Sequence, residues 1–311
     1  MKRIILLIAI PGVIVAAVGA AALVFFSRPP VLIVASESLQ FIYGESRIRR
    51  HEISASLALF RPVRTVTVAD GAGADVVVIA ASAASPRPFC VLFVPANADA
   101  AARFHGEFPE IPVVVMAGLA HLPGLPPANG IFCVFSTDRS TDMYRAGLFA
   151  GILAEVRQNE MGGVDDIRLD AALLHDHLMP ESDRELFSRG LREENPDTGV
   201  LFASSIAGMP DAGRLSSAVL ASSASEFLDR TPFVPMVLFT WLNPLLLPNA
   251  VKVVFDDSPW ALAVPAARMA AEGRAHAVIP SKPLIVSRNF ADNNVLRRMR
   301  RAAEKIPENQ E

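Results

Sequence analysis

Short, nearly unbroken apolar runs recur along the chain with polar segments between them. Val31–Ala35, Cys90–Val94, Ile111–Met116 and Ile131–Phe135 are of this kind in the first half. Such runs mark strands buried on both faces of a parallel sheet. Val63–Val68 alternates and is β-branched, which predicts a strand with one wetter face. Asp75–Ala81, with Val-Val-Val-Ile inside it, reads as a further strand. Helices are expected at Ser46–Phe60, on Ile48, Ile53, Leu57 and Leu59, and at about Ala98–Phe108. The second half repeats this grammar. Its strands are Ile167–Leu174, Val200–Ala203, Met236–Trp241 and Val251–Phe255. Its helices are Ser182–Glu194, the Ala/Ser-rich Gly213–Leu228, and a helix from Ser258-Pro259 to Glu272, which Pro265 should kink. His276–Ile279 and Leu284–Val286 read as closing strands before a last basic helix.

The stretch Gly130–Glu155 organises the rest. It runs from strand to polar turn, with Asp138 or Ser140 as helix N-cap. A helix follows with a small-residue stripe, Met143, Ala146, Gly147, Ala150, Gly151 and Ala154. Small residues let a helix press its backbone close to a sheet. Similar units on both sides make this the place where the chain leaves one α/β lobe for another. The expected fold class is α/β: two interleaved, doubly wound parallel-sheet lobes joined by a hinge, after one N-terminal transmembrane helix. Residues 31–137 with 258–280 form the first lobe, and 138–257 with 281–311 the second.

Residues 1–30 read as a membrane anchor or signal sequence. Lys2 and Arg3 precede an uncharged run from Ile4 to Phe26, long enough for a bilayer core, which takes ~20 helical residues. Ala20-x-Ala22 resembles a cleavage site, but Leu23-Val24-Phe25-Phe26 continues the run past it, which favours an uncleaved anchor. The basic flank orients residues 31–311 to the extracytoplasmic side of the cytoplasmic membrane, in a single pass.

Composition adds bounds. The 311 residues are 51% hydrophobic and 20% charged, with a net charge of −3. That supports one or two domains with cores and gives no global attraction for nucleic acid. Cys90 and Cys133, the only cysteines, sit at or within apolar runs and read as buried thiols. Arg297, Arg298, Arg300, Arg301 and Lys305 form a basic cluster, read as a solvated helix face or as a contact for anionic headgroups.

The chain resembles the type I periplasmic-binding-protein fold. Tyr144–Ala154 is similar to the Tyr-Leu-Ala-Gly-type helix of the basic-membrane-protein group, which includes purine-nucleoside binders. Phe187-x-x-Gly190-Leu191 with Asn195–Val200 resembles that group's second-lobe helix and following strand. Val253–Trp260 resembles the hinge strand of sugar-binding relatives, whose aspartate touches ligand. Glu272-Gly273 and the strands after it match the return segment. The resemblance covers about residues 31–290, and the anchor departs from it.

In parallel α/β lobes, ligands sit beyond the carboxyl ends of the strands. This nominates Ser36, Glu37, Ser82, Asn97, Asp138, Asp176, Trp241, Asn243, Asp256 and Asp257, with Ser38 and Ser204 beside them. They are mostly short hydrogen-bonding groups, as a neutral polar ligand requires, and strand ends are also polar simply because they meet solvent. Trp241 and Trp260 offer flat apolar faces for a sugar or base. His175-Asp176-His177 lacks a third ligand at metal-site spacing. There is no Walker sequence, no Gly-x-Ser-x-Gly elbow and no glycine fingerprint in dinucleotide context, so neither cofactor nor metal is expected.

The expectation is a membrane-tethered extracytoplasmic binding protein, not an enzyme, whose lobes close on a small polar ligand, a sugar or nucleoside. Its partner would be a transporter or a signalling protein. The alternatives are a ligand-free scaffold and, from another class, an α/β hydrolase or transferase.

Overall fold

Val31–Ser36 (β1) has its first five residues buried and pairs on both sides with parallel neighbours. A computed structural model describes residues 19–118, 126–161, 169–175, 179–209, 211–221, 233–286, 290 and 292–307. After β1 come helices Glu37–Tyr43 (α1) and Glu45–Leu59 (α2), strand Val63–Val68 (β2), helix Ala74–Ser82 (α3) and strand Cys90–Phe93 (β3). Helix Ala98–Glu107 (α4) and strands Val113–Gly118 (β4) and Phe132–Thr137 (β5) complete this series. The long helix Arg139–Glu160 (α5) opens the second series. It continues through Asp170–Leu174 (β6), Glu181–Glu194 (α6), Val200–Ala203 (β7), Leu215–Leu220 (β8), Met236–Phe239 (β9) and Val251–Asp256 (β10). Ala263–Ala271 (α7), His276–Ile279 (β11), Lys282–Ile285 (β12) and Asn293–Glu304 (α8) follow.

The strands form two six-stranded sheets of matching order, β2-β1-β3-β4-β5-β11 and β7-β6-β8-β9-β10-β12. In each, the second strand of the series lies outside the first. That places a topological switch point between β1 and β3, and another between β6 and β8. Neighbouring pairs are parallel, except that β12 runs antiparallel to β10. The chain divides into two units. One takes the described residues up to Ser136 together with Pro259–Ala277, and the other takes Thr137–Ser258 and Val278 onward.

Several expectations are corrected. Asp75–Ala81 is helix α3, not a strand. Both β2 and β3 pair with β1 in parallel, so the link between them must cross over the sheet, which takes a helix. Val77, Val78 and Ala81 are buried while Val76 and Ile79 are exposed, a helical face. Leu215–Leu220 is a strand buried along its whole length, where a helix over Gly213–Leu228 was expected; residues 222–228 lie outside the described part. Its small residues have a packing reason, since buried Ser217 Oγ donates to the Ala150 carbonyl of α5 at 3.0 Å. Pro265 does not kink a helix, because α7 starts at Ala263 and Pro265 falls in its first turn, where an N–H has no intrahelical acceptor. For the same reason Ser258-Pro259 does not open that helix.

The glycines of α5 meet a helix rather than a sheet. A methyl group on Gly147 would run into the Phe187 carbonyl of α6, and one on Gly190 into the Tyr144 carbonyl of α5. One on Gly151 would sit 2.7 Å from the Leu191 carbonyl. The two backbones thus touch along this seam. Helix α8 buries Met299 and Ala302 in the same core. It ties Arg298 to Glu155 (2.8 Å) and Glu194 (3.1 Å), and Lys305 to Glu193 (2.5 Å). Two of the five basic side chains of that cluster are therefore held in ion pairs, while Arg297, Arg300 and Arg301 are exposed.

Among the described residues no helix is long and apolar enough to cross a membrane. Residues 19–27 are helical, and the greater part of the Ile4–Phe26 run lies outside the described residues.

Candidate functional site

In the second unit, three strand ends bring aromatic, acidic and basic groups together. β9 ends in Phe239, whose ring stacks on Phe255 of β10 with centroids 4.4 Å apart. Arg139, the first residue of α5, sets its guanidinium 3.7 Å from the centre of the Phe239 ring. It also donates to the Ala221 carbonyl just beyond β8 at 3.1 Å. Trp241, two residues past β9, donates its indole N–H to Asp257 Oδ1 at 2.5 Å. Asp257 Oδ2 accepts from Thr137 Oγ1 at 3.4 Å. Trp241, Asp257 and Arg139 are each half-buried, so they have a dry side and a wet side. Ala221 and the buried His175 end the two strands that flank the switch point of this sheet.

The first unit has a smaller polar group. Ser36 ends β1 and caps α1, accepting from Leu39 N at 3.4 Å. Ser38 Oγ donates to Asp70 at 2.6 Å, and its backbone N–H points at the same carboxylate. These hydroxyl bonds hold the Asp70 carboxyl below its ordinary range. Across the switch point, Asn97 follows β3, and its Nδ2 is buried with no hydrogen-bond partner among the described residues. A buried amide donor left unpaired costs about 1–3 kcal/mol, so an acceptor arriving there gains most of that back.

The expected site residues fare differently. Trp241 and Asp257 meet. Asp256 is 3% exposed and turns back on the chain, its Oδ1 accepting from Ser258 N at 3.0 Å. Because α7 begins at Ala263, neither aspartate stands at a helix N-terminus. Asp138 caps α5, accepting from Thr141 N at 3.0 Å and Thr141 Oγ1 at 2.7 Å. Asn243 caps the short turn Pro244–Leu246, accepting from Leu245 N at 3.1 Å. Glu37 is exposed in the first turn of α1. Ser82 ends a helix instead of a strand and donates to the Ile79 carbonyl at 3.0 Å, which removes the reason for naming it. Asp176 and His177 lie outside the described residues. Trp260 offers no ligand face. It is 1% exposed, packed 4.6 Å from Tyr43, and donates to Thr65 Oγ1 at 2.9 Å.

Asp70, Thr137 and Arg139 were not among the nominated residues. Asp70 obeys the strand-end rule, two residues past Val68. Arg139 is the residue after an N-cap, a position whose side chain points back toward the sheet's carboxyl edge. Among the described residues, no group of three or more His, Cys, Asp or Glu side chains is placed to hold a metal ion. Burial pushes the thiols of Cys90 up to about 12 and Cys133 up to about 11. A nucleophile needs the thiolate, which burial disfavours at both cysteines.

With two parallel α/β units of matching strand order, the chain has the type I periplasmic-binding-protein fold. Solved structures similar to it include an ABC transporter solute-binding protein from Conexibacter woesei DSM 14684, with 12% identity over 89% of this chain and 95% of that one, at a TM-score of 0.57. Another is a transcriptional activator of the comK gene from Bacillus halodurans, with 11% identity over 90% and 100% of the two chains, also at 0.57. The arabinose binding protein AraP from Geobacillus stearothermophilus shares 12% identity over 84% and 98%, at 0.50. At these identities the likeness is one of fold. No family model and no curated protein matches the chain in sequence.

Proposed function

We propose that this chain is an extracytoplasmic substrate-binding protein, and not an enzyme, that takes a small polar ligand such as a sugar or nucleoside. The observation that carries the reading is the Trp241–Asp257–Thr137 network beside Arg139 and Phe239, at the carboxyl ends of β8, β9 and β10. An indole face beside a fixed carboxylate suits a ring that carries hydroxyl or amine donors, and the nearby guanidinium suits its acceptors. Two of the similar structures are described as solute- or arabinose-binding, which agrees with this chemistry. A thermal-shift screen of monosaccharides and nucleosides tests it, since a ligand at 100 times its Kd stabilises by about 2.7 kcal/mol. No shift with any of them counts against a small polar ligand.

The uncharged run Ile4–Phe26 serves in this proposal as an uncleaved single-pass anchor, with a transporter or sensor as membrane partner. N-terminal sequencing of membrane-extracted protein should recover the original N-terminus. A mature start near Leu23 contradicts the anchor.

A further inference from the structure

Helix α2 turns Arg47, Ile48 and Ala55 inward. Its opposite side is exposed and carries both arginines and large apolar side chains. At 100° per residue, Arg49, Ile53, Ser46, Leu57 and Arg50 span an arc of about 100°, and all are exposed, Leu57 by 72%; the exposed Phe60 follows as the C-cap. The apolar positions run toward the C-terminal end of the helix and the two arginines stand at the other. Arg64 on β2 is exposed as well, and Arg28 and Arg61 lie close by. Of the acids of α2, Glu45 stands one turn before Arg49 and offsets part of its charge, while Arg50 has no acid one turn away. Glu52 is turned to Thr65, accepting from its N and Oγ1 at 2.7 and 2.6 Å, and Glu45 is at the helix start.

This face lies where the N-terminal apolar segment arrives. Residues 19–27 end against the last turn of α2. The Phe25 and Phe60 rings are edge-on at 6.0 Å, and Arg28 sits 4.5 Å from the Phe60 ring centre and donates to the Phe60 carbonyl at 3.2 Å. Arg61 reaches back to the Pro29 carbonyl at 3.5 Å. Leu23, Val24 and Phe26 on that incoming helix are exposed too. A run that enters a bilayer there brings the headgroup layer to Phe60 and along α2. Basic side chains beside exposed large apolar ones suit such a layer, where cations meet headgroup phosphates and apolar groups meet acyl chains.

We propose that the outer face of α2 is a membrane-contact surface for anionic phospholipid. Ile53, Leu57 and Phe60 enter the boundary between headgroups and acyl chains, and Arg49 and Arg50 bind lipid phosphates. The first unit then lies against the bilayer beside its tether. The inference rests on the anchor reading of Ile4–Phe26.

The test uses the full chain in phosphatidylcholine vesicles, with and without phosphatidylglycerol, carrying nitroxide-labelled lipid. Cys90 and Cys133 are buried, so a fluorophore goes selectively to Leu57→Cys or, as reference, to Ile79→Cys, an exposed apolar position on α3 off this stripe. Flotation reports attachment. The expected result is that both variants float and the label at 57 is quenched about twofold or more over that at 79. The difference should grow with phosphatidylglycerol and shrink in Arg49→Gln/Arg50→Gln, while flotation is unchanged. A chain that floats with equal quenching at 57 and 79 overturns the contact surface and leaves the tether standing. Efficient disulfide cross-linking of Leu57→Cys between chains overturns it in favour of a second copy. A chain that does not float overturns the tether and the surface together.

Discussion

Trp241 donates its indole N–H to the carboxylate of Asp257 at 2.5 Å, across the ends of two adjacent strands. A hydrogen bond to a charged group contributes about 1.5–3 kcal/mol when the group is shielded from water. Both residues are half-buried, so Trp241→Phe should cost about 1–2 kcal/mol in urea unfolding. With Asp257→Asn, a double-mutant cycle should return a coupling energy of about 1 kcal/mol. Strictly additive losses would show that the pair carries no energy.

The α5–α6 seam gives a sharper stability prediction. Gly147→Ala and Gly190→Ala each drive a methyl group into a backbone carbonyl. Backbone cannot rotate aside, so each should cost about 3 kcal/mol or more, read by thermal unfolding. Gly106→Ala in α4 is the reference, with nothing within 4 Å of its added Cβ, and should be neutral or stabilise by up to ~1 kcal/mol. Equal behaviour of the three would contradict the seam.

Asp142 makes stability depend on pH. It is fully buried on α5, and both carboxylate oxygens accept from Ser281 N at 3.1 Å. Burial pushes its carboxyl up to about 7, against the opposing bonds from Ser281 and the charges of Arg139 and Arg145. The folded chain therefore holds a proton that the unfolded chain releases near pH 4. This contribution is complete below that unfolded value and is lost as pH rises through about 7. Urea unfolding should show stability falling between pH 5 and pH 8 by no more than ~1.4 kcal/mol per pH unit. Asp142→Asn should flatten that slope. Asp70 and Glu193, both held below their ordinary range by hydrogen bonds, act oppositely, and their contribution is lost as pH falls through their lowered values. A wild-type slope that survives Asp142→Asn would refute the assignment.

How much was legible follows from what each residue answers to. β1, β3 and β4 show as unbroken apolar runs because both their faces are covered inside one sheet. The Val-Val-Val-Ile of α3 looks the same in a short window, and only the need to cross from β2 to β3 makes it a helix. β8 hid for the opposite reason, because its serines suit a close approach to α5 that no local pattern reveals. The strand-end rule nominates Asp257 and Trp241, while the hydrogen bond between them has no signature in the sequence. Trp260 was misjudged because its partner Thr65 lies 195 residues away in the chain. Arg139 escaped notice because its neighbours, Ala221 and Phe239, come from two later strands.

The central claim is that a small polar ligand binds at the strand ends of the second unit, and titration calorimetry addresses it most directly. A sugar or nucleoside that raises the melting temperature should be titrated into wild type, Asp257→Ala, Arg139→Ala and, for reference, Ser82→Ala. Loss of a hydrogen bond that leaves a buried ligand group unpaired costs about 1–3 kcal/mol, a loss of roughly tenfold or more in affinity. Asp257→Ala and Arg139→Ala should each weaken binding by that factor, and Ser82→Ala should bind as wild type does. Unchanged affinity in both Asp257→Ala and Arg139→Ala would contradict the claim and leave these residues as parts of the fold alone.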